Sequence, residues 1–262
     1  MQAVGTVESL WRYPVKSMRG EELAQAFVGF SGVYGDRFYA FLSSAAPKRF
    51  PYFTGREKDT MILYRPSYRN GNAMLQPSNL AEAQTGSGLT SLYPDPAAFM
   101  VDVETPSGDI LAIDDPELLR RLREGVRDRH ELTLIRSHRS ITDSRPVSLF
   151  SLQTVRQLSQ ELGAGLDKRR FRANLYLNLH NSDGFAEEEF VGRTLQIGPK
   201  SILAVVGRDQ RCKMITLDPD TGEANPELTR LLARAHGGNA GVYAAVLVEG
   251  IVSPGDKITV LN

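Results

Sequence analysis

Residues 211–222, RCKMITLDPDTG, contain the only cysteine of the chain and end in a turn sequence. Apolar residues recur between 212 and 217, which predicts a short strand with Arg211 and Cys212 at its start. In the DPDTG that follows, Asp, Pro and Gly are typical turn residues, because Pro fixes φ and Gly tolerates positive φ. The stretch therefore predicts a strand that begins with a cation and a thiol and ends in a tight turn.

Short apolar runs separated by turn sequences continue in both directions from this stretch. They predict strands at 4–10, 23–30, 37–42, 61–64, 99–104, 109–113, 132–135, 173–179, 194–197, 202–206, 242–248 and 257–261. Helices are predicted at 115–126, 152–162 and 226–235, each preceded by an Asp, Ser or Asn that can serve as N-cap. Many short strands with few, short helices predict a β-rich α+β fold, in which helices pack around a β-barrel-like body.

Two features divide the chain. The helix that begins at Asp115-Pro116 marks the predicted boundary between two domains, 1–114 and 115–262. Between residues 67 and 96, Gly, Asn, Gln, Ser and Pro predominate and apolar residues are few. This stretch is too long for an ordinary connection, so we expect either a mobile lid or a partly disordered segment.

The composition excludes several classes of protein. The 31 Lys and Arg residues balance 31 Asp and Glu residues, which argues against binding to nucleic acid or to a membrane surface. A single cysteine excludes an internal disulfide, a Cys-based zinc site and an iron–sulfur cluster held by this chain. No apolar run approaches the roughly 20 residues of a membrane span, and the first ten residues lack a signal-peptide pattern. We therefore expect a soluble, cytoplasmic protein.

The motifs of several common enzyme classes are also absent. The sequence has no dinucleotide-binding or P-loop glycine motif, no H-E-x-x-H and no G-x-S-x-G. The histidines, His130, His138, His180 and His236, are not spaced as metal ligands. Zinc chemistry and Ser-His hydrolysis therefore have little support.

Four polar segments at the ends of predicted strands remain as candidates. They are 13–17 (YPVKS), 35–38 (GDRF), 171–174 (FRAN) and 211–213 (RCK). Each also has an ordinary explanation, because a cation at a strand end is usually solvated and a lone cysteine is usually an inert, buried small residue. From these residues alone, the pattern supports an anion-binding barrel and leaves its chemistry open.

The order of these segments resembles the MOSC superfamily, named for the C-terminal domain of molybdenum cofactor sulfurase. The C-terminal half matches in the Arg-Cys pair, the D-P-x-T-G turn, Gly241-Val-Tyr243, Gly250-Ile251 and Pro254-Gly-Asp256. The N-terminal half is similar to the β-barrel domain that precedes MOSC in many members, with Y-P-V-K-S, then G-D-R-F, then Thr54-Gly-Arg56. The FRAN segment resembles the family's R-F-R-P-N, with Ala173 where Pro is usual.

The resemblance implies a MOSC β-barrel, similar to the barrel of pyruvate kinase, with flanking helices and an N-terminal β-barrel-like domain. It also implies a molybdenum–pterin cofactor (molybdenum bound to molybdopterin) between the two parts, with Cys212 as metal ligand and catalytic centre. The residues implied to bind the pterin and its phosphate are Lys16, Ser17, Arg37, Ser151, Arg172, Asn174 and Arg211. Gln210 stands where relatives usually have Ser. If 212–217 is a strand, Arg211 and Lys213 point away from the face that carries Cys212.

Three functions are compatible with this resemblance. The first, which the amidoxime-reducing members suggest, is two-electron reduction of an N-hydroxylated small molecule, with electrons from a separate protein of the ferredoxin or flavoprotein type. The second is a carrier that holds the cofactor, or a persulfide on Cys212, without substrate turnover. The third is a stable barrel whose site has decayed. In the first case the cofactor supplies the redox chemistry, and the protein supplies binding, orientation and electrostatics.

Overall fold

The computed structural model describes residues 2–71, 75–85, 96–126 and 131–261. The strands are β1 (Ala3–Arg12), β2 (Glu21–Leu23), β3 (Ala26–Gly29), β4 (Gly32–Val33), β5 (Tyr39–Ser43), β6 (Tyr52–Phe53), β7 (Arg65–Tyr68), β8 (Val101–Glu104), β9 (Ile110–Ala112), β10 (Leu132–Arg136), β11 (Val147–Ser151), β12 (Leu175–Leu179), β13 (Thr194–Ile197), β14 (Ser201–Gln210), β15 (Asn239–Val248), β16 (Gly250–Val252) and β17 (Lys257–Val260). The α-helices are α1 (Leu80–Thr85), α2 (Pro116–Arg123), α3 (Leu152–Leu162) and α4 (Glu227–Ala235).

A closed seven-stranded barrel forms the body of the molecule. Its strands follow the order β12-β11-β15-β14-β13-β17-β1, and pairing of β1 with β12 closes the ring, while β2 extends β1 on one side. Only the β11–β12 pair is parallel. Inward side chains such as Val7, Leu149 and Leu203 are at most 2% exposed and fill the interior. These strands and the few helices confirm the predicted β-rich fold.

Three small sheets pack beside the barrel, with strand orders β10-β5-β6, β7-β8-β9 and β16-β3-β4. They enclose a second, aromatic core in which the rings of Phe38 and Phe99 stack 4.3 Å apart.

Strands cross the predicted domain boundary in both directions, since β1 lies in the barrel while β10 and β16 pair with β5 and β3. The division into 1–114 and 115–262 stays a prediction.

The predicted helices form close to their predicted bounds because their capping residues act as expected. The side chain of Asp115 accepts a hydrogen bond from Glu117 N at the start of α2, and Ser151 does the same for Thr154 N at the start of α3. Gly163 ends α3 in the left-handed conformation, at φ 68°.

Two predicted strands are wrong. The apolar run 61–64 lies in a 3₁₀-helix, Asp59–Leu63, that buries Met61 and Ile62. Strand β14 ends at Gln210, and a 3₁₀-helix, Lys213–Thr216, replaces the predicted strand 212–217 while burying Ile215. Runs of four to six residues are too short for periodicity to distinguish a strand from a helical turn.

Some expectations fall outside the described residues, among them His130 and much of the segment 67–96. Within that segment, the structure shows the end of β7 and the helix α1. In the part of the chain that is described, no helix has the length and apolar character needed to cross a membrane.

Candidate functional site

The four polar segments converge on one cavity between the barrel and the small sheets. The cavity opens to solvent. Six of the predicted residues line it: Lys16, Ser17, Arg37, Arg172, Arg211 and Cys212. The fold thus brings residues that lie up to 196 positions apart in the sequence to the same cavity.

Backbone hydrogen bonds hold the segments together at this cavity. Lys16 N donates to Tyr39 O at 2.8 Å, and Arg37 N donates to Tyr13 O at 2.6 Å. Trp11 N donates to Asn174 O at 2.8 Å, which fixes the FRAN segment beside β1. The site is therefore built on the strand that closes the barrel.

Three cavity residues have an unusual backbone conformation. Ser17, Arg37 and Arg172 have φ values of 67°, 46° and 53°, in the left-handed region that non-glycine residues seldom adopt. They are three of the four such non-glycine residues in the described part of the chain. Local strain of this kind is typical of functional sites, where the surrounding structure holds a side chain in a fixed direction.

Two guanidinium groups lie against the ring of Tyr13. The Cζ atoms of Arg37 and Arg172 are 4.5 Å and 4.4 Å from the ring centroid, within the range of cation–π attraction. Arg37 is also paired with Asp36 at 2.5 Å and donates to Arg172 O at 2.9 Å. Burial raises the pKa of Tyr13 to about 12, so the ring stays neutral between the two cations.

Arg172 and Arg211 each leave one nitrogen without a partner. The Nη2 atoms of both are buried and make no hydrogen bond in the described structure. The other nitrogens of Arg211 donate to Ala240 O and Phe171 O and pair with Asp209 at 2.8 Å. Burial lowers the pKa of Arg172 to about 10, which leaves this guanidinium charged at neutral pH. A buried cation without acceptors is costly unless an anion binds there.

The ammonium group of Lys16, unlike the guanidinium groups of Arg172 and Arg211, has hydrogen-bond partners within the protein. Its Nζ donates to Ile141 O at 2.9 Å and to the Asp143 carboxylate at 2.5 Å. Burial lowers the pKa of Lys16, and the neighbouring Asp143 opposes that shift. The Lys16 side chain is 6% exposed, whereas that of Asp143 is 43% exposed. Asp143 is therefore the partner that can move into solvent if an anion approaches Lys16.

Cys212 lies at the cavity in an extended conformation, directly before the 3₁₀-helix, and is partly exposed. Arg56 lines the same cavity, and although burial opposes the shift, the neighbouring Cys212 side chain raises the pKa of this guanidinium. Gly55 makes this approach possible, because a Cβ at that position would come within 2.7 Å of Met214 Sδ. Segment 54–56 is thereby packed against the helix that follows Cys212.

The expected arrangement around Cys212 is wrong in one respect. Arg211 lines the same cavity as Cys212, although a strand would have turned its side chain to the opposite face. Strand β14 ends at Gln210, so the side-chain alternation of a strand does not continue through Arg211 and Cys212. Lys213 does not line this cavity, and it pairs with Asp59 at 2.6 Å.

The structure does not place Ser151 and Asn174 on the cavity. Ser151 is fully buried, caps α3 and donates to Glu187 Oε2 at 2.6 Å. The side-chain oxygen of Asn174 accepts from the hydroxyl of Ser148, and its amide donates to Trp11 O. Both side chains are thus occupied by contacts within the protein, and the binding role that the resemblance implies for them stays a prediction.

Several cavity residues were not predicted. Arg56, Arg170, Asp143, Asp209 and Tyr243 all line it. Arg56, Arg170 and Tyr243 had a signal in the sequence, since they stand in the Thr-Gly-Arg segment, at the first position of the R-F-R-P-N match and in Gly241-Val-Tyr243. Asp143 and Asp209 come from stretches without a motif.

Asp209 is one of these unpredicted residues, 3% exposed and paired with Arg211. Burial raises the pKa of Asp209, which the charge of Arg211 and a hydrogen bond from Tyr243 oppose. With six cations and two carboxylates among its lining residues, the cavity is suited to a multiply charged anion held beside a thiol.

The described residues do not provide a complete metal site by themselves. Among the described residues, no group of three or more His, Cys, Asp or Glu is placed to hold a metal ion. Cys212 could supply one thiolate, so a metal here would need its other ligands from the bound molecule.

Two family models match the chain. A model described as MOSC domain matches residues 136–259, and one described as MOSC N-terminal beta barrel domain matches residues 4–87. Together they cover most of the sequence and every residue that lines the cavity.

Two curated relatives are similar at low identity. Mitochondrial amidoxime reducing component 2 of Bos taurus is 26% identical over 244 residues, which are 85% of this chain and 69% of that protein. Molybdenum cofactor sulfurase of Drosophila grimshawi is 31% identical over 161 residues, or 58% of this chain. The chain spans about a fifth of the sulfurase, 19% of its length.

Solved structures give weaker likenesses. The YuaD protein of Bacillus subtilis aligns over 97% of this chain and 94% of its own, with a TM-score of 0.47 and 14% identity. YiiM of Geobacillus stearothermophilus aligns over 45% of this chain and 55% of its own, with a TM-score of 0.36 and 18% identity.

Proposed function

The chain belongs to the MOSC family, and on that premise we propose that it binds a molybdenum–pterin cofactor and acts as an oxidoreductase. The proposed reaction is the two-electron reduction of an N-hydroxylated small molecule. The name of the relative that matches 85% of this chain, an amidoxime reducing component, supports this substrate class. The electrons would come from a separate electron-transfer protein of the ferredoxin or flavoprotein type.

The observation that carries the proposal is the pair of unpartnered Nη2 atoms on Arg172 and Arg211, in the cavity that also holds Cys212. A phosphate offers several acceptor oxygens, and guanidinium groups bind phosphate with charge-assisted hydrogen bonds. Lys16, Ser17 and Arg37 line the same cavity and would complete the cradle. The residues present therefore fit the cofactor: donors for its phosphate and one thiolate for its metal.

When bound, the cofactor supplies a metal that can take up and release two electrons. The reaction breaks the N–O bond of the substrate and consumes two electrons and two protons, giving the reduced nitrogen compound and water. The chain's own residues would bind and orient the cofactor: the cations would hold its anionic group, and Cys212 would be a ligand of its metal. Arg56 lines the cavity beside Cys212 and adds a further cation to the proposed binding site.

A second candidate is a carrier that holds the cofactor, or a persulfide on Cys212, without reducing a substrate. The partial exposure of Cys212 supports it, because a sulfur carrier must present its thiol to a partner. The sulfurase relatives point in the same direction. The two candidates differ in what the purified protein contains.

Cofactor content tests the proposal. The protein and its variants are produced in a host that makes molybdenum cofactor, and molybdenum and pterin are measured per chain. We expect stoichiometric metal in wild type and loss of metal in Cys212→Ala. Arg172→Ala should weaken pterin retention by about 2 kcal/mol, or roughly 30-fold, through the loss of a charge-assisted contact.

Arg193→Ala is the matched control, because Arg193 is exposed and away from the cavity; its cofactor content should equal that of wild type. Wild type without molybdenum or pterin from a competent host would refute the proposal. If wild type without molybdenum or pterin carries a persulfide that Cys212→Ala lacks, the carrier function replaces the proposed oxidoreductase function. Unchanged pterin in Arg172→Ala after extensive dialysis would remove Arg172 from the binding site.

A further inference from the structure

A second concave surface, the α4 groove, lies beside the basic cavity. It runs between α4 and the segment that follows β14. Pro226, Thr229 and Ala233 line one wall, at spacings of three and four residues that place them on one face of the helix. Ala224 lies nearby, and it is exposed, as are Pro226 and Ala233. Small side chains on this face leave the groove open.

The groove and the basic cavity share one segment. Gln210, Arg211 and Cys212 line both. Cys212 is extended, at φ −121° and ψ −178°, so this short stretch of chain forms the border between the two. A molecule in the groove therefore lies next to the residue proposed to hold the metal.

The two surfaces differ in chemistry. The basic cavity carries six cations, whereas no acidic residue occurs among the described residues that line the groove. Its cations are already paired, Lys213 with Asp59 at 2.6 Å and Arg211 with Asp209 at 2.8 Å. The remaining wall is mostly hydrocarbon, which favours an uncharged apolar group, since burying such surface is favourable.

We infer that the α4 groove binds the apolar body of the substrate, an aryl or alkyl group, while the N-hydroxyl end reaches Cys212. This inference rests on the proposed function and names its substrate class: N-hydroxylated compounds with an uncharged, apolar substituent. The basic cavity holds the anionic cofactor, so the groove is the surface next to Cys212 that remains for the substituent.

The test fills the groove and compares a large substrate with a small one. Ala233→Trp places an indole in the groove, and Ala235→Trp, at an exposed position of α4 that does not line it, is the matched control. Reduction of benzamidoxime and of hydroxylamine is measured with a chemically reduced dye as donor. We expect the KM for benzamidoxime to rise at least tenfold in Ala233→Trp, with hydroxylamine kinetics and molybdenum content unchanged.

A binding measurement accompanies the kinetics. Titration of benzamidoxime into each purified protein, followed by NMR, should show an affinity at least tenfold weaker in Ala233→Trp and unchanged in Ala235→Trp. Equal benzamidoxime affinity and KM in Ala233→Trp and wild type would overturn the inference, and so would an equal loss for hydroxylamine, which has no apolar body. Wild type that reduces neither compound refutes the proposed function instead, and the titration still decides whether the groove binds the aryl group.

Discussion

At the scale of single residues, the proposed binding role of Arg172 requires a buried, unpaired charge, which lowers the stability of the cofactor-free protein. Its backbone is in the left-handed conformation, and the buried Nη2 atom of its guanidinium lacks a hydrogen-bond partner. Burial lowers its pKa to about 10, so the charged form is less stable in the folded protein than in the unfolded chain. This penalty is fully present below pH 10 and disappears only as the pH rises toward the pKa of the unfolded chain.

We therefore predict that Arg172→Met stabilises the cofactor-free protein. Methionine keeps an apolar chain against Tyr13 and removes the unpaired charge, which should raise the free energy of unfolding by on the order of 1–3 kcal/mol at pH 7. Urea unfolding of cofactor-free wild type and variant measures the change, with the exposed Arg193→Met as control. A variant less stable than wild type would mean that Arg172 is held by stabilising contacts and is not strained.

The sequence located most of this site but not its arrangement. Lys16, Arg37, Arg172 and Cys212 could be named because each stands in a recognisable segment. Asp209 could not, because an acidic residue inside a strand has no local signal and its role depends on pairing with Arg211. A sequence pattern reports residue types, whereas a cavity depends on long-range contacts.

At the scale of elements, α3 depends on a buried polar cluster. The Ser151 hydroxyl accepts from Thr154 N at 3.0 Å and donates to the buried Glu187 carboxylate at 2.6 Å. The hydroxyl of Thr154 donates to the same carboxylate at 2.8 Å. Ser151 thus joins the start of α3 to the segment after β12.

We predict that Ser151→Ala costs stability and leaves cofactor content unchanged. The variant loses the helix cap and one hydrogen bond to a buried carboxylate, which should lower the free energy of unfolding by about 2 kcal/mol. Urea unfolding and molybdenum analysis test the two parts, and Ser144→Ala, at an exposed position, is the control. Loss of cofactor at unchanged stability would instead support the binding role that the family resemblance implied for Ser151.

The elements differ in how well the sequence predicts them. Helices α2, α3 and α4 were found because their caps and apolar stripes are local features. The 3₁₀-helices at 59–63 and 213–216 were mistaken for strands because a short apolar run suits either element. The second error mattered most, since it assigned Arg211 to the wrong side of Cys212.

For the whole molecule, closure of the barrel depends on the N-terminal strand. β1 lies between β17 and β12 and pairs with both. Its Val7 and Leu10 side chains, 2% and 1% exposed, are part of the same core as Leu177 and Ile258. The sequence suggested a barrel from its many short strands, but it could not show which strands close the ring, because these pairings join residues more than 150 positions apart.

This closure leads to a prediction about the proposed boundary at residues 114 and 115. A fragment of residues 115–262 lacks β1, which leaves the facing edges of β12 and β17 unpaired and part of the core exposed. We expect it to aggregate or to unfold without a cooperative urea transition, and we expect a synthetic peptide of residues 2–12 to restore solubility and cooperativity. A peptide of the same composition in scrambled order is the control. If the fragment alone is soluble and unfolds cooperatively, the boundary separates two folding units, and β1 adds to a barrel that is stable without it.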